Sequence, residues 1–196
     1  MNHPREERTF LLVKPDGVKR GLVGEVIRRL EQRNLKIIAM CMVEPGREKF
    51  DTHYPKDPAW VKRIGEKTLA TYQKYGYDAK AELGTEKPEE IGPMVRGWLL
   101  DFMTSGPVVK MVIEGVHAID MVRKIVGATM PSLAEMGTIR GDFSVDSPAS
   151  ANRDKRSVHN LVHASETSEE AAHEIKLWFA DNELHGYKRT EENLTF

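Results

Sequence analysis

The chain has 196 residues, 40% of them apolar, which suits one domain with room for insertions and a core that needs no staples. Its formal net charge is −1, so there is no bulk cationic field for nucleic acid or an anionic membrane, and any anion site must be a local cluster of Lys and Arg. Cys41 is the only cysteine, which excludes an internal disulfide framework and a thiolate metal centre.

In chain order, Met1 to Arg8 carries no apolar stretch of the secretory kind, and Thr9 to Lys14 reads as a first strand stopped by Pro15-Asp16-Gly17. Leu22, Val23, Val26, Ile27 and Leu30 recur at helical spacing up to about Asn34. Lys36 to Val43 is a second strand, within which Cys41, close to Ile38, Met40 and Met42, reads as a core thiol. The longest uncharged apolar run, Ile37 to Val43, is too short to cross a membrane, so a cytoplasmic chain is expected. A short helix is expected over Glu48 to His53.

Residues from about 55 to 100 read as a helical insert in two pieces, Pro58 to Tyr75 and Pro88 to Met103, joined by a Gly- and charge-rich connector from Gly76 to Lys87. Val108 to Glu114 is a β-branched strand, and Ile119, Val122, Ile125 and Val126 mark another amphipathic helix. Gly127 to Pro148 is irregular, the kind of long stretch that is functional or disordered. Leu161-Val162-His163 is a short strand, and Thr167-x-x-Glu170 opens a helix carrying Ala171, Ile175, Trp178 and Phe179 on one face. The tail from about 181 to 196 is polar, and its Asn193-Leu194-Thr195 sequon reads as a chance match. The order βαβ, helical insert, βαβ matches an α+β, ferredoxin-like βαββαβ antiparallel sheet, and nothing cuts 1–196 into two domains.

The chemistry must be sought without the usual phosphate loops, since neither Gly-x-x-x-x-Gly-Lys-Ser/Thr nor Gly-x-Gly-x-x-Gly occurs. No His/Cys/Asp ligand spacing suggests a structural metal. The candidate cluster is Asn160-Leu161-Val162-His163-Ala164-Ser165 with Glu174, because a strand-end imidazole with an ordinary pKa of about 6.5 can attack phosphorus through one ring nitrogen while a carboxylate orients the other. Ser165 could hold that carboxylate. Taken alone, His163 reads more commonly as a partly buried histidine with a satisfied hydrogen bond. Arg140, in a Gly-rich loop, could bring its fork to a phosphate, while Arg123, Thr129 and Lys14 are each weak signals that more often mean solvated surface. Asp142 reads as a structural partner for an arginine.

Together, Asn160-x-x-His163-x-Ser165, Gly137 to Phe143, Lys14-Pro15-Asp16-Gly17 and Ser105-Gly106-Pro107-Val108-Val109 resemble nucleoside diphosphate kinase, in that family's order and over about residues 8 to 54 and 100 to 180. The long insert resembles archaeal versions. The resemblance implies ping-pong transfer of a γ-phosphate through a phosphohistidine at His163, with Glu174 on its other ring nitrogen and Ser165 holding Glu174. It implies that Lys14, Arg123, Thr129, Arg140 and Asn160 bind nucleotide phosphates and sugar, that Tyr54 stands beside the nucleophile, and that Val95 occupies the position of a base-stacking phenylalanine. It further implies nucleoside tri- and diphosphates (ATP among them) entering with Mg²⁺ held by phosphate oxygens, and a homo-hexamer or homo-tetramer contacting through the loop around Pro131. A second insertion, between Phe143 and Asn160, is expected to form an exposed charged loop.

Two other classes compete with this reading. An RNA-recognition sheet would need exposed aromatics on its strands and a basic face, and both are missing from the sequence. A family member kept for assembly alone would have no physical need for the full His-Glu-Lys-Arg set.

Overall fold

A computed structural model describes residues 6–190 and 192. The sequon at 193–195 and the end of the polar tail lie outside the described residues, as does most of the N-terminal stretch up to Arg8. Among the described residues four strands, β1 (Glu7–Val13), β2 (Lys36–Val43), β3 (Val108–Gly115) and β4 (Val162–Ala164), form one sheet in the order β2-β3-β1-β4. Every pairing is antiparallel, which is the ferredoxin-like α+β arrangement.

The helices follow in chain order: α1 (Pro15–Lys19), α2 (Val23–Gln32), α3 (Arg47–His53), α4 (Pro58–Tyr75), α5 (Ala79–Leu83), α6 (Pro88–Met103), α7 (Ala118–Val126), α8 (Ile139–Phe143), α9 (Pro148–Arg153) and α10 (Ser168–Trp178). Strand β1 is apolar on consecutive positions because both faces of the sheet are covered. Leu11 and Val13 enter a core with Val26, Leu30, Val122 and Val126 of α2 and α7. Phe10 and Leu12 enter a second core with Phe50, Met103 and Trp178 of α3, α6 and α10.

The insert folds where the sequence places it. Asp57 caps α4 by accepting from the Trp60 N–H at 2.8 Å, Pro58 occupies the first turn, and Gly76 ends the helix at φ 67°. Helices α4 and α6 cross with their backbones in contact. A Cβ on Gly65 would lie 2.1 Å from the Pro88 carbonyl oxygen, and one on Gly92 equally close to that of Val61, so only glycine fits either position.

Four expectations change. The connector from Gly76 to Lys87 contains α5, capped by Asp78. The irregular stretch after Gly127 contains a 3₁₀ turn at Pro131–Leu133 and α8. The second insertion is more than an exposed loop: it holds α9, whose Ala151 and Asn152 are buried and which packs on α4. Cys41 is exposed and not a core thiol. It lies on the outer strand of the sheet, beyond a bulge between Ile37 and Ala39 that spends the inward positions on Ile38 and Ala39.

Candidate active site

The strand carrying His163 is delivered by a strained turn. Leu161 has φ +69° and sits between the Asn160 carbonyl and the Val162 N–H, which bond at 2.8 Å, making it the centre of a γ-turn. That conformation costs on the order of 1–3 kcal/mol and persists only where neighbours over-determine it. Here they do: the Leu161 N–H donates to the Asp16 carboxylate at 3.0 Å, and its carbonyl accepts from the Lys14 N–H at 2.8 Å. The Pro15-Asp16-Gly17 turn is thus the mould that shapes the strand carrying His163.

His163 pairs with Leu12 across the sheet, and its side chain is 17% exposed. Its Nε2 lies 2.7 Å from Oε1 of Glu174, a residue that is 1% exposed. The other carboxylate oxygen of Glu174 accepts from the Ser165 hydroxyl at 2.6 Å, and Ser165 Oγ in turn accepts from the Phe10 N–H at 3.3 Å. Burial pushes the His163 imidazole below its ordinary value, with the positive field of Lys14 next, so the ring is neutral near pH 7. Burial pushes Glu174 up, opposed by the His53 ring and the Ser165 hydroxyl.

A second histidine, which sequence reasoning passed over, completes the cluster. The His53 ring meets His163 edge-on with centroids 4.6 Å apart, and its Nδ1 accepts from the Trp178 indole N–H at 3.2 Å. Burial first, then His163, lowers its pKa to about 3. A neutral ring that accepts at Nδ1 carries its proton on Nε2. His53 therefore cannot donate to Glu174, although Nδ1 is 3.3 Å from Oε1, and the carboxylate remains available to His163. The Tyr54 ring stands 6.4 Å from that of His163 with its hydroxyl buried, and burial raises its pKa. The signal available was adjacency: His53 precedes the tyrosine already singled out and closes the same short helix.

The cations gather around the strand end, and Lys14 and Arg140 are buried, unlike ordinary solvated charges. Lys14 Nζ donates to Asn160 Oδ1 at 2.7 Å, and Asn160 Nδ2 donates to the Thr129 carbonyl at 2.9 Å. Burial, with the Arg140 charge beside it, lowers Lys14 to about 7. Arg140 donates to the carbonyls of Asn160, Gly127 and Val162 at 3.1, 2.8 and 2.7 Å, and burial lowers its pKa to about 10. Those bonds use three of a guanidinium's five N–H groups, and the rest can serve an anion. Arg123 is more exposed and rests on Glu166 at 3.0 Å. Asp142 pairs with Arg29 at 2.6 Å, as its structural reading expects. Thr129 is exposed, and Val95 is half-buried on α6, one residue before Arg96, whose guanidinium bonds the segment carrying Tyr54.

Ligand atoms of His53, His163 and Glu174 lie within 4.8 Å of one another. That set suits Mg²⁺ poorly, because it offers one carboxylate already engaged by two hydrogen bonds and otherwise only nitrogen. A part-buried neutral imidazole, oriented by a carboxylate and lying in the field of three cationic groups, can carry a phosphoryl group. Among the described residues no helix is long and apolar enough to cross a membrane.

Residues 7–60 and 94–184 match the family Nucleoside diphosphate kinase, the gap running from within α4 through α5 to the first turns of α6. A nucleoside diphosphate kinase of Pyrobaculum aerophilum is 47% identical over 178 residues, which cover 91% of this chain and 97% of the relative. A crystal structure of an NDP kinase from that organism superposes with a TM-score of 0.89 at 45% identity, covering 92% of this chain and all of the other. A transition-state mimic of the nucleoside-diphosphate kinase from Borrelia burgdorferi, with bound vanadate and ADP, gives a TM-score of 0.77 at 35% identity over 97% of this chain and 96% of its own.

Proposed function

The chain belongs to the nucleoside diphosphate kinase family and is a phosphotransferase acting between nucleotides; from that premise we propose that the phosphate travels through a phosphohistidine at His163. The observation that carries this is the 2.7 Å bond between His163 Nε2 and Glu174, which leaves Nδ1 as the nucleophile. In the first half-reaction Nδ1 forms a bond to the γ-phosphorus of a nucleoside triphosphate such as ATP, the bond to the bridging oxygen breaks, and the nucleoside diphosphate leaves with that oxygen's electron pair. The ring now bears positive charge, which Glu174 balances through the Nε2 proton. In the second half-reaction the terminal oxygen of another nucleoside diphosphate attacks the same phosphorus, and the imidazole departs neutral.

Charge spreads over the equatorial oxygens during each transfer, so positioned cations do most of the work. Lys14, Arg140 and Arg123 supply them and, with Asn160 and Thr129, bind the nucleotide's phosphates and sugar, Val95 standing at the base-stacking position. Mg²⁺ arrives as part of the substrate complex, held by phosphate oxygens. One domain is supported by the insert's α6 entering the same core as β1 and α10. A homo-oligomer is supported by the exposed Met40 and Met42 on outer strand β2 and by exposed Leu133 and Met136 beside Pro131. A cytoplasmic site of action fits all of this.

The test is incubation with γ-labelled ATP. Acid-labile label is expected on the wild-type chain and absent from His163→Ala; label retained on that variant moves the nucleophile elsewhere.

A further inference from the structure

Arg96, on helix α6, makes more hydrogen bonds to the Asp51–Pro55 segment than any role as a surface charge requires. Its Nη1 donates to Asp51 Oδ1 at 2.6 Å, its Nη2 to the Asp51 and Tyr54 carbonyls at 2.9 and 3.3 Å, and its Nε to the Pro55 carbonyl at 3.1 Å. The side chain is 14% exposed, and Lys56 holds the other Asp51 oxygen at 2.5 Å. These acceptors lie where α3 ends. The last carbonyls of a helix have no partner within it, and a cation there also meets the negative end of the helix dipole. The guanidinium meets both needs with one planar fork.

What hangs from that segment is the site itself. His53 is the last residue of α3, and its ring lies 4.6 Å from the His163 ring; Tyr54 is the next residue, its ring 6.4 Å from His163. The backbone around both residues is therefore fixed by a side chain from helix α6. A second tie joins the same two helices, the ion pair between Arg47 and Asp101, but it grips the opposite end of α3 and is largely exposed. The two arginines separate fastening α3 to α6 from fastening the residues that face the nucleophile.

We propose that Arg96 is a positioning residue: it clamps the Asp51–Pro55 segment so that His53 and Tyr54 stay seated against His163, which makes phosphoryl transfer depend on helix α6. The proposal rests on His163 being the phosphorylated group. The clamp acts on the geometry of the phosphorylated site, so its loss lowers the rate of transfer at saturating nucleotide and leaves nucleotide affinity nearly unchanged.

The experiment measures single-turnover phosphorylation by Mg·ATP, steady-state KM and melting temperature for the wild-type protein and for Arg96→Ala, Arg96→Lys, Asp51→Asn, Arg47→Ala and His163→Ala. Arg96→Ala is expected to slow phosphorylation about 10- to 100-fold, the scale on which a misplacement near the reacting atoms is felt. Its KM for ATP stays within about threefold of wild type, as uniform binding is untouched. Guanidinium ion at millimolar concentration restores part of the rate to Arg96→Ala and none to His163→Ala. Arg96→Lys, lacking the fork, recovers less than the added ion does, and Asp51→Asn falls between Arg96→Ala and wild type. Arg47→Ala keeps the wild-type rate. The proposal is overturned if Arg96→Ala and Asp51→Asn both phosphorylate at the wild-type rate. It is equally overturned if Arg47→Ala loses as much as Arg96→Ala, or if guanidinium restores nothing. Persistent phosphorylation of His163→Ala would instead remove the reading of the site beneath it.

Discussion

Leu161 closes on Gly17 so tightly that a Cβ on the glycine would lie 2.8 Å from the leucine carbonyl oxygen. Leu161 itself is at φ +69°, two residues before His163. Gly17→Ala must push the turn away, and overpacking of this kind costs about 1–3 kcal/mol. The expected outcome is a lower melting temperature together with slower phosphorylation, read by calorimetry and a label-incorporation assay. A variant that melts lower but transfers at full rate would show that Leu161's geometry is irrelevant to the chemistry.

Glu174→Gln tests the carboxylate. The amide keeps the volume and can still bond His163, but it cannot balance the charge that develops on the ring. Transfer should slow on the order of 10²-fold, the scale for losing one preorganised electrostatic partner, with ADP affinity little changed by calorimetric titration. Unaltered turnover removes Glu174 from the mechanism.

The pH dependence has two parts with opposite expectations. Burial holds His163 below its ordinary value of about 6.5, so its nucleophilic neutral form persists as the solution is acidified, and the phosphorylation rate should stay flat down through that value. Lys14 is a cation with a depressed pKa of about 7. Bound phosphate favours its charged form, so nucleotide affinity should be constant below about pH 7 and decline as pH rises above it. The cost of burying the ammonium in the free protein is present below about 7 and lifts as pH climbs toward the ordinary lysine value of 10.5. Lys14→Met should lack both trends when ADP binding and melting are followed from pH 6 to 10.

Arg140→Lys separates charge from geometry. The lysine keeps a positive group but cannot bond the carbonyls of Asn160, Gly127 and Val162 together. Leaving buried carbonyls unpaired costs roughly 1–3 kcal/mol each, so chemical denaturation should show a clear loss of stability alongside weaker nucleotide binding. Weaker binding with unchanged stability would make Arg140 a phosphate ligand only.

Much of this was legible before any coordinates. Strand β1, helices α4 and α6 and the helix after Thr167 announce themselves through periodicity, caps and proline placement, because those signals are local. The capping pair at Thr167 and Glu170 was half right: Thr167 accepts from the Glu170 N–H, but the Glu170 carboxylate takes the N–H of Glu166. His163, Glu174 and Ser165 could be read together because only eleven positions of strand and helix separate the first from the last. Asp16 and Arg96 could not, since each acts on a partner far along the chain or through backbone carbonyls that no side-chain pattern advertises, and His53 had only its adjacency to Tyr54 to mark it. The burial of Lys14 was equally hidden, because a strand-end lysine looks the same whether an asparagine 146 positions later covers it or not.

The hydroxyl of Tyr72 on α4 donates to the Asn152 carbonyl on α9, 80 positions away, and Arg153 beside it bridges to Glu82 of α5 at 3.1 Å. Helices α4 and α5, which lie largely in the gap between the family-matched spans, and α9 are therefore halves of a single annex, anchored to each other. Anyone trimming this protein toward a minimal form would have to excise both pieces at once: removing α4 and α5 alone strips the roof from Ala151 and Asn152 and strands a polar carbonyl, while keeping α6 is what retains the grip on the catalytic segment.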